Sequence, residues 1–204
     1  MSRYGQRQES VTVKLLPLDT PDLIELVASW LARKENYQWL DFGGGRQVVT
    51  PALLKVMTQR ESHFLRAYTD EDDTPIGIAG LNSVDRTFKT ATLWGATGEK
   101  SFRSRGYATF AGSMILTLAF RDLGLRAINT WVVENNPSLR LVQRLGFRPI
   151  GRQRQCHYID DRVYDRLFFD LLATEHLQLE QSRPHRIEPA AAEASQKEDR
   201  AAHV

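Results

Sequence analysis

The sequence predicts a mixed α/β (α+β) fold, a single domain with a central twisted mixed sheet of about seven strands flanked by helices. Strand-like and helix-like segments follow in the order strand, two helices, three strands, helix, strand, helix, two strands. A helix separates the fourth strand from the fifth, which is the arrangement of a helical crossover. The 204 residues are 42% hydrophobic, which is enough to bury one sizeable core.

Each of the first two predicted helices begins with a threonine followed by a proline. The pairs are Thr20-Pro21 and Thr50-Pro51. In each pair the threonine is the N-cap, and the proline is the first helical residue, where a backbone N–H would have no partner in the helix. Apolar residues at helical spacing carry the first helix to about Lys34. The other two helices lie between turn-forming residues, from Gly106 to Gly124 and from Asn136 to Gly146.

The predicted strands are rich in β-branched and aromatic residues and are separated by turns. The last two form a hairpin that turns at Asp160-Asp161. In chain order the strands cover residues 11–16, 63–69, 75–83, 88–98, 126–133, 147–159 and 162–172.

We expect one folded domain over residues 11–175. Residues 1–10 are polar and are expected to form a flexible lead. From residue 176 to 204 the chain mixes charges, prolines and small residues with almost no large apolar side chains. Burial in this segment cannot offset the entropy lost on ordering, so we predict a disordered C-terminal tail.

The bulk composition excludes several classes of protein. Lys and Arg total 27 against 25 Asp and Glu, and this weak net charge of +2 argues against a dedicated nucleic-acid-binding protein. Cys156 is the single cysteine, cannot form an internal disulfide and is expected to be a small core residue. No signal segment or bilayer-spanning apolar stretch is evident, so we expect a cytoplasmic protein without a membrane partner. The five histidines show no metal-ligand spacing, so we expect no metal.

A basic connection links the fourth predicted strand to the helix that begins at Gly106. The N-terminus of a helix favours phosphate because unpaired N–H groups and a partial positive charge meet there. Gly106 lets the backbone approach a ligand closely, and Lys100, Arg103 and Arg105 add positive charge. Taken alone, such a loop is more often a solvated connection. Neither a Walker loop nor a dinucleotide-binding fingerprint is present in the sequence.

A second segment, after the fifth predicted strand, completes a family pattern. With it the chain resembles the GNAT acetyltransferases, which carry an R/Q-x-x-G-x-G/A loop and an N-x-x-[SA]…L-G-F segment. The two motifs match, in chain order, Arg103, Gly106 and Ala108, then Asn135, Ser138 and Leu145-Gly146-Phe147. The resemblance covers residues 10–172 and is greatest to the ribosomal-protein N-terminal acetyltransferase (RimJ/RimL-like) branch.

The resemblance implies an acyl-CoA-dependent N-acetyltransferase, with acetyl-CoA as co-substrate and an amine as acceptor. It implies that Asn135 hydrogen-bonds the pantetheine and that Ser138 lies near the departing sulfur. The pantetheine is expected to lie along the backbone of the fourth strand at Ala96, Thr97 and Gly98. The pyrophosphate is expected to bind the backbone N–H groups of Ser104, Arg105, Gly106, Tyr107, Ala108 and Thr109. The acceptor pocket is expected to be lined by Trp39, Asp41 and Phe42, which otherwise form an aromatic turn folded onto the core.

The catalytic pattern of the family is incomplete in this sequence. The position of a tyrosine that protonates the leaving thiolate holds Val142, and the position of a glutamate base holds Thr130. Ser138, with Asn135 nearby, is the remaining candidate for a proton donor to sulfur; the alternative is that Ser138 only completes the start of the short helix. Three carboxylates are candidate bases acting through water, or else solvated surface groups: Glu99, Glu134 and Asp41.

Without an evident base, an amine of low pKa is the easier nucleophile. An α-amine with a reference pKa of about 7.7–8.0 is neutral in roughly a tenth of molecules at pH 7, whereas a lysine amine at about 10.4 is neutral in roughly four of ten thousand. We therefore expect the acceptor to be a peptide or protein N-terminus or the amino group of a small metabolite. The alternatives are a GNAT-like module that binds acyl-CoA without turnover and an unrelated α/β ligand-binding protein. Self-association into a homodimer is left open.

Overall fold

A computed structural model describes residues 12–42 and 48–178 of the chain. In these ranges the chain forms one sheet with helices on both faces. A short 3-10 turn over Lys100–Phe102 precedes the longest helix. The elements in chain order are β1 (Leu15–Pro17), α1 (Pro21–Leu31), α2 (Lys34–Tyr37), α3 (Pro51–Thr58), β2 (Phe64–Thr69), β3 (Pro75–Asp85), β4 (Thr90–Thr97), α4 (Tyr107–Arg121), β5 (Ala127–Val133), α5 (Leu139–Arg144), β6 (Arg148–Ile159) and β7 (Arg162–Leu172).

The sheet has the spatial order β1-β2-β3-β4-β5-β7-β6. Neighbouring strands pair antiparallel except β4 and β5, which run parallel. Two parallel neighbours need a crossover between them, and α4 supplies it. The predicted mixed sheet of about seven strands flanked by helices is therefore confirmed.

Separate cores lie on the two faces of the sheet because strand side chains alternate between faces. The helices α4 and α5 pack on one face, and α1 and α3 pack on the other. Completely buried side chains on the α4 face include Tyr68, Ile76, Leu81, Ile115 and Ile128. Those on the α1 face include Trp30, Leu31, Leu54 and Ile78.

The two Thr-Pro helix starts are confirmed. The Thr20 hydroxyl accepts the Leu23 N–H at 3.4 Å, and the Thr50 hydroxyl accepts the Leu53 N–H at 3.2 Å. The first helix is shorter than predicted, however. It ends at Leu31, and the short helix α2 follows it.

A tertiary contact is made just after the end of α1. Arg33 takes an extended backbone conformation between α1 and α2, with φ −73° and ψ 132°. Its guanidinium donates to the carbonyl of Gly98 at 2.9 Å. This bond connects the corner between the two helices to the end of β4, which apolar periodicity along α1 does not predict.

Strand boundaries differ from the predictions mainly at two starts. The strand predicted from residue 11 enters the ladder at Leu15. Lys14 bonds to β2 irregularly, because its N–H donates to the Thr69 side chain while its carbonyl accepts the Thr69 N–H. Val11 itself lies outside the described residues. The strand predicted from residue 88 begins at Thr90, after a turn in which Lys89 has φ +58°. The β6–β7 hairpin turns where predicted, with positive φ at both residues 160 and 161.

Cys156 is half-exposed, so its expected place in the core was wrong. β6 is an edge strand, and its pairing with β7 shifts register between Gln153 and His157. The Cys156 thiol lies 3.3 Å from the Gln153 carbonyl within this irregular stretch.

The predicted flexible lead over residues 1–10 lies outside the described residues, as does most of the predicted tail. Within the described part, His176 contacts α4, with Nε2 2.8 Å from the Thr117 hydroxyl. Among the helices of residues 12–42 and 48–178, none is long and apolar enough to cross a membrane.

Gly98 lies against Trp30, and the absence of a side chain at residue 98 makes this packing possible. A Cβ at residue 98 would lie 2.1 Å from Cδ2 of the indole, far inside van der Waals contact. We expect Gly98→Ala to lower the free energy of unfolding by about 1–3 kcal/mol because the indole or the backbone must move. Chemical denaturation measures the loss. Gly151→Ala is the control, since a Cβ there meets nothing within 4 Å. Equal stability of both variants would contradict this account.

Candidate active site

The strands β4 and β5 are neighbours that separate after a short paired stretch. Their pairing covers Thr90–Thr92 on β4 and Ala127–Asn129 on β5. Beyond it, β4 continues to Thr97 against β3, and β5 continues to Val133 against β7. A wedge-shaped opening, here named the fork, therefore lies between residues 93–97 and residues 130–133.

The closed end of the fork is held by side chains of β5. Thr130, only 6% exposed, donates its hydroxyl to the Leu93 carbonyl at 2.9 Å. Asn129 accepts the Thr92 hydroxyl at 2.7 Å beside it. The Thr130 side chain is thus engaged in holding the two strands together at the point where they separate.

Backbone groups of β4 line one side of the fork. The Gly98 N–H donates to Ile76 of β3 at 2.8 Å, and backbone directions alternate along a strand. By this alternation, the N–H and C=O groups of Gly95 and Thr97 face the fork, whereas Ala96 directs its groups to β3. The Gly98 carbonyl is taken by Arg33. Of the three predicted pantetheine-binding positions, Thr97 is the one whose backbone faces the fork.

Gly95 borders the fork and was not among the site residues predicted from the sequence. It is exposed although it lies within β4, next to the fork. An isolated glycine within a strand often marks the close approach of a ligand or another backbone. Here the close approach is that of β3, because a Cβ at residue 95 would lie 2.9 Å from the Ile78 carbonyl oxygen.

The segment over residues 103–108, here named the 103–108 loop, turns sharply into α4. Ser104 and Gly106 both have left-handed backbone conformations, with φ +64° and +100°, and Gly106 is the N-cap residue. In the described part of the chain, the N–H groups of residues 104–108 have no protein acceptor. The Thr109 N–H, in contrast, bonds to the Gly106 carbonyl at 2.9 Å. Unpaired N–H groups at the positive end of a helix form a site suited to phosphate.

Tyr107 contributes to this loop through its backbone, because its side chain is only 4% exposed. The phenol donates to the Glu71 carboxylate in the β2–β3 turn, and its ring meets Phe102 edge-on. Burial, with the neighbouring carboxylate, raises the pKa of Tyr107 to about 12. Tyr107 therefore stays protonated near neutral pH and anchors the start of α4. Ala108 is half-buried against the same core.

The three cations near the loop have different partners. Lys100 and Arg103 lie 2.5 Å and 3.4 Å from the carboxylate of Glu35 on α2. The Lys100 ammonium lowers the pKa of the Glu35 carboxyl below its usual range. Arg105 lies over the Phe102 ring at 5.6 Å and has no ion pair with any described residue. Among the three cations, Arg105 is therefore the one whose charge no described carboxylate neutralises.

The start of α5 carries the second motif predicted from the sequence. Asn135 is exposed, and Ser138 is half-buried at the N-cap position. The side-chain oxygen of Asn136 accepts the backbone N–H of Ser138 at 2.8 Å, and this bond stabilises the turn. The Ser138 carbonyl accepts the Val142 N–H at 3.0 Å, but the Ser138 side chain makes no capping bond, so its hydroxyl is not used at the helix start. Neither residue 135 nor residue 138 donates its side chain to another described group, and both roles stay predictions.

Residues 38–42, here named the 38–42 loop, contact β4 on one side of the fork and β6 and β7 on the other. The Gln38 carbonyl accepts from His157 of β6 at 2.6 Å, and Asp41 pairs with Arg166 of β7 at 3.0 Å. Phe42 meets the Trp94 ring of β4 edge-on, with centroids 4.9 Å apart. Trp39 is half-buried, and its backbone N–H donates to the Asn36 backbone carbonyl at 3.1 Å. The predicted acceptor-side residues thus lie together beside the fork.

The family model described as the Acetyltransferase (GNAT) domain matches residues 12–148 of the chain. This chain belongs to the GNAT acetyltransferase family. It is an acyl-CoA-dependent acetyltransferase that uses acetyl-CoA as co-substrate, as was expected from the two motifs.

Relatives agree with this assignment. YdaF of Bacillus subtilis (strain 168), provisionally named a ribosomal N-acetyltransferase, is 26% identical over 82% of this chain and 93% of its own length. YokL of the same organism, an N-acetyltransferase derived from the SPbeta prophage, is 30% identical over 52% of this chain and 60% of its own length. The fold matches spermidine N-acetyltransferase of Vibrio cholerae, solved with CoA and spermine, at a TM-score of 0.67. That match has 16% identity and covers 81% of this chain and 97% of the other.

This GNAT enzyme carries a polar cluster beside the fork that sequence reasoning did not find. His157 is 5% exposed; its Nε2–H donates to Gln38, and its Nδ1 accepts from two guanidinium nitrogens of Arg166 at 3.2 and 3.1 Å. The Arg166 guanidinium also lies 3.9 Å from the Trp131 ring centroid. These contacts require the neutral His157 tautomer, and burial lowers the pKa of its imidazole. No local motif marks the cluster, because its members lie on three strands and a loop.

The candidate carboxylate bases are not equivalent in this GNAT enzyme. Glu99 accepts the Trp30 indole N–H at 2.9 Å, and Glu134 accepts the backbone N–H of residue 165 at 3.2 Å. Asp41 is likewise bonded, to Arg166 at 3.0 Å, and its side chain is about as exposed as that of Glu99, 45% against 44%. What distinguishes Asp41 is its place in the 38–42 loop, beside the fork. Within the described ranges, no three His, Cys, Asp or Glu residues lie close enough to hold a metal ion.

Protonation of His157 is expected to make the stability of this enzyme depend on pH. Its imidazole pKa in the folded state lies below the ordinary 6.5, so the unfolded chain binds more protons as pH falls below that value. The free energy of unfolding should therefore decrease between about pH 7 and pH 5. Denaturant titrations across this range should give a shallower decrease for His157→Gln than for the wild type. His63 and His176, whose pKa values burial also lowers, leave a remaining slope in both proteins. Identical slopes would contradict the assignment of a neutral, buried imidazole to residue 157.

Proposed function

We propose that this enzyme transfers the acetyl group of acetyl-CoA to the free α-amine of a peptide or protein N-terminus, or to a similar amine of a small metabolite. The observation that carries the proposal is the fork itself. The 103–108 loop, which is suited to phosphate, lies at one end of the fork. The 38–42 loop lies on one face of it, with aromatic and polar neighbours. Both substrates of such a transfer can therefore reach the unpaired backbone of β4.

We place the pyrophosphate of acetyl-CoA against the N–H groups of residues 104–108, with Arg105 beside it. The pantetheine would follow Gly95 and Thr97 along β4 and meet Asn135 across the fork. A fork-facing N–H of β4 is suited to stabilise the oxyanion that forms on the thioester carbonyl. Ala96 and Gly98, whose backbone groups are already paired, would contribute van der Waals contact alone.

In the proposed reaction the neutral amine nitrogen attacks the thioester carbonyl carbon, and the carbon–sulfur bond then breaks. The amine loses a proton, for which Asp41, acting through water, is the available carboxylate. The leaving sulfur takes up a proton as CoA departs, and Ser138 is the candidate donor. The products are the acetylated amide and free CoA thiol, so atoms and charge balance.

The acceptor class follows from what the site lacks in acid and base groups. Thr130 and Val142 occupy the positions of the family's base and acid, and Thr130 is bonded to β4. Glu99, Glu134 and Asp41 each accept a hydrogen bond from another protein group, which weakens each of them as a base. An amine that is already partly neutral near pH 7 is then the favoured nucleophile, and an α-amine meets this condition whereas a lysine side chain does not.

The charge of the acceptor side supports a single amine rather than a polyamine. Asp41 and Arg166 offset each other, so this pair gives the acceptor side no net negative charge. A polyamine with several positive charges would need several carboxylates. The spermidine enzyme of Vibrio cholerae therefore supports the fold assignment, whereas the provisional name of YdaF agrees with a protein N-terminus as acceptor.

Release of free CoA thiol from acetyl-CoA with three acceptors tests this function. The first acceptor is a peptide with a free N-terminus and no lysine, the second is the same peptide with a blocked N-terminus and one lysine, and the third is spermidine. Near pH 7 we expect kcat/KM for the first to exceed that for the second by about a hundredfold, because the neutral fraction of an α-amine is larger by that order. Spermidine should be a poor acceptor.

A higher kcat/KM for the lysine peptide or for spermidine would contradict the proposed acceptor. Binding of CoA without thiol release from any amine would favour the alternative of an acyl-CoA-binding module without turnover.

The placement of the pyrophosphate is tested by thermal shift with CoA. A ligand present at 100 times its Kd should stabilise the wild type by about 2.7 kcal/mol. Gly106→Glu should abolish the shift by placing a negative charge against the phosphates. The matched control is Gly124→Glu, because residue 124 also has a positive φ, +64°, and lies beyond the other end of α4. An unchanged shift in Gly106→Glu would sink the assignment of the 103–108 loop.

A further inference from the structure

A buried amide connects the short helix α2 to the 103–108 loop. Asn36 is 6% exposed, and both ends of its side-chain amide are hydrogen-bonded. Its oxygen accepts from the Arg103 guanidinium at 3.0 Å, and its nitrogen donates to the Trp30 carbonyl at 2.9 Å. A buried amide bonded at both ends has one orientation, so it holds Arg103 at a defined distance from α1.

The surrounding bonds join the same two regions. Trp30 donates its indole N–H to Glu99 at 2.9 Å, and Arg33 donates to the Gly98 carbonyl at 2.9 Å. Arg103 also pairs with Glu35 at 3.4 Å, next to Asn36. The corner between α1 and α2 is therefore attached to the segment that leads from β4 into α4.

The 38–42 loop continues directly from α2. The N–H groups of Gln38, Trp39 and Leu40 donate to carbonyls of α2, at 3.1, 3.1 and 3.0 Å. The carbonyl that accepts from Trp39 belongs to Asn36 itself. A displacement of residue 36 therefore moves the start of the 38–42 loop as well as the partner of Arg103.

We propose that Asn36 is a positioning residue that couples acetyl-CoA binding at the 103–108 loop to acceptor binding at the 38–42 loop. The proposal rests on the function proposed above. When acetyl-CoA binds at the 103–108 loop, Arg103 holds the Asn36 amide, and α2 holds the 38–42 loop beside the fork. By thermodynamic reciprocity, an acceptor that binds at the 38–42 loop raises the affinity for CoA by the same factor.

The coupling is measured as the ratio of CoA dissociation constants without and with a saturating unreactive acceptor analogue, such as the acetylated product peptide. In the wild type we expect CoA to bind about tenfold more tightly in the presence of the peptide, a typical coupling between two sites. In Asn36→Ala the factor should fall to about one, and KM for the acceptor should rise more than kcat falls. Arg103→Gln and the double variant should lose the same coupling without further loss, because all three break one link.

Two further variants separate positioning from general stability. Asn36→Asp keeps an acceptor for Arg103 but loses the donor to Trp30, so partial coupling should remain. This variant replaces Asn36→Ala in the test if Asn36→Ala does not fold. Lys34→Ala is the matched control on the same helix, since its pair with Asp160 is exposed at the surface. It should keep both the coupling factor and the KM values.

The inference is overturned if wild-type CoA affinity does not depend on the peptide. It is also overturned if Asn36→Ala lowers Tm and kcat while the coupling factor stays at the wild-type value. In either case, acetyl transfer to the α-amine by the wild type would leave the proposed function intact. A wild type that transfers no acetyl group to any amine would overturn both.

Discussion

The separation of β4 from β5 is the constraint on which the rest of the site depends. The two parallel strands share pairing over three residues each, and then each follows a different antiparallel neighbour. Thr130 holds the point of separation by donating to Leu93. Beyond it, Gly95 and Thr97 direct backbone groups into the fork. Because backbone donors and acceptors need partners, a ligand with its own amides can lie along β4 as a further strand would.

Two loops give the ends of this fork different chemistry, and α2 lies between them. The 103–108 loop offers unpaired N–H groups at a helix N-terminus, and the 38–42 loop brings an aromatic and a carboxylate to the other side. Each loop is anchored by buried polar contacts, Tyr107 to Glu71 in one case and His157 to Gln38 in the other. Rigid support of this kind is what a site needs to hold two substrates in reacting geometry.

Most elements of the fold could be predicted from the sequence, because their signals are local. The Thr-Pro starts, the paired aspartates of the last hairpin and the glycine before α4 each act within a few residues of themselves. The predictions failed where a distant group intervened. Arg33 bonds to Gly98 just after α1 ends, and the Thr69 side chain accepts the N–H of Lys14 just before β1 begins. Cys156 is half-exposed because its strand is at the edge of the sheet.

The sequence by itself determined the fold class, the GNAT family and the chain positions of the two motifs, because cap signals, hydrophobic periods and contiguous motifs are readable along the chain. Only the tertiary structure decided that Arg103 turns to Asn36 on α2 and that Asp41 meets Arg166, a residue 125 positions away. It also decided that Thr97, rather than Ala96, faces the fork. These outcomes depend on strand register and on the path of a loop across three strands, and a shift of one residue would exchange every direction along β4.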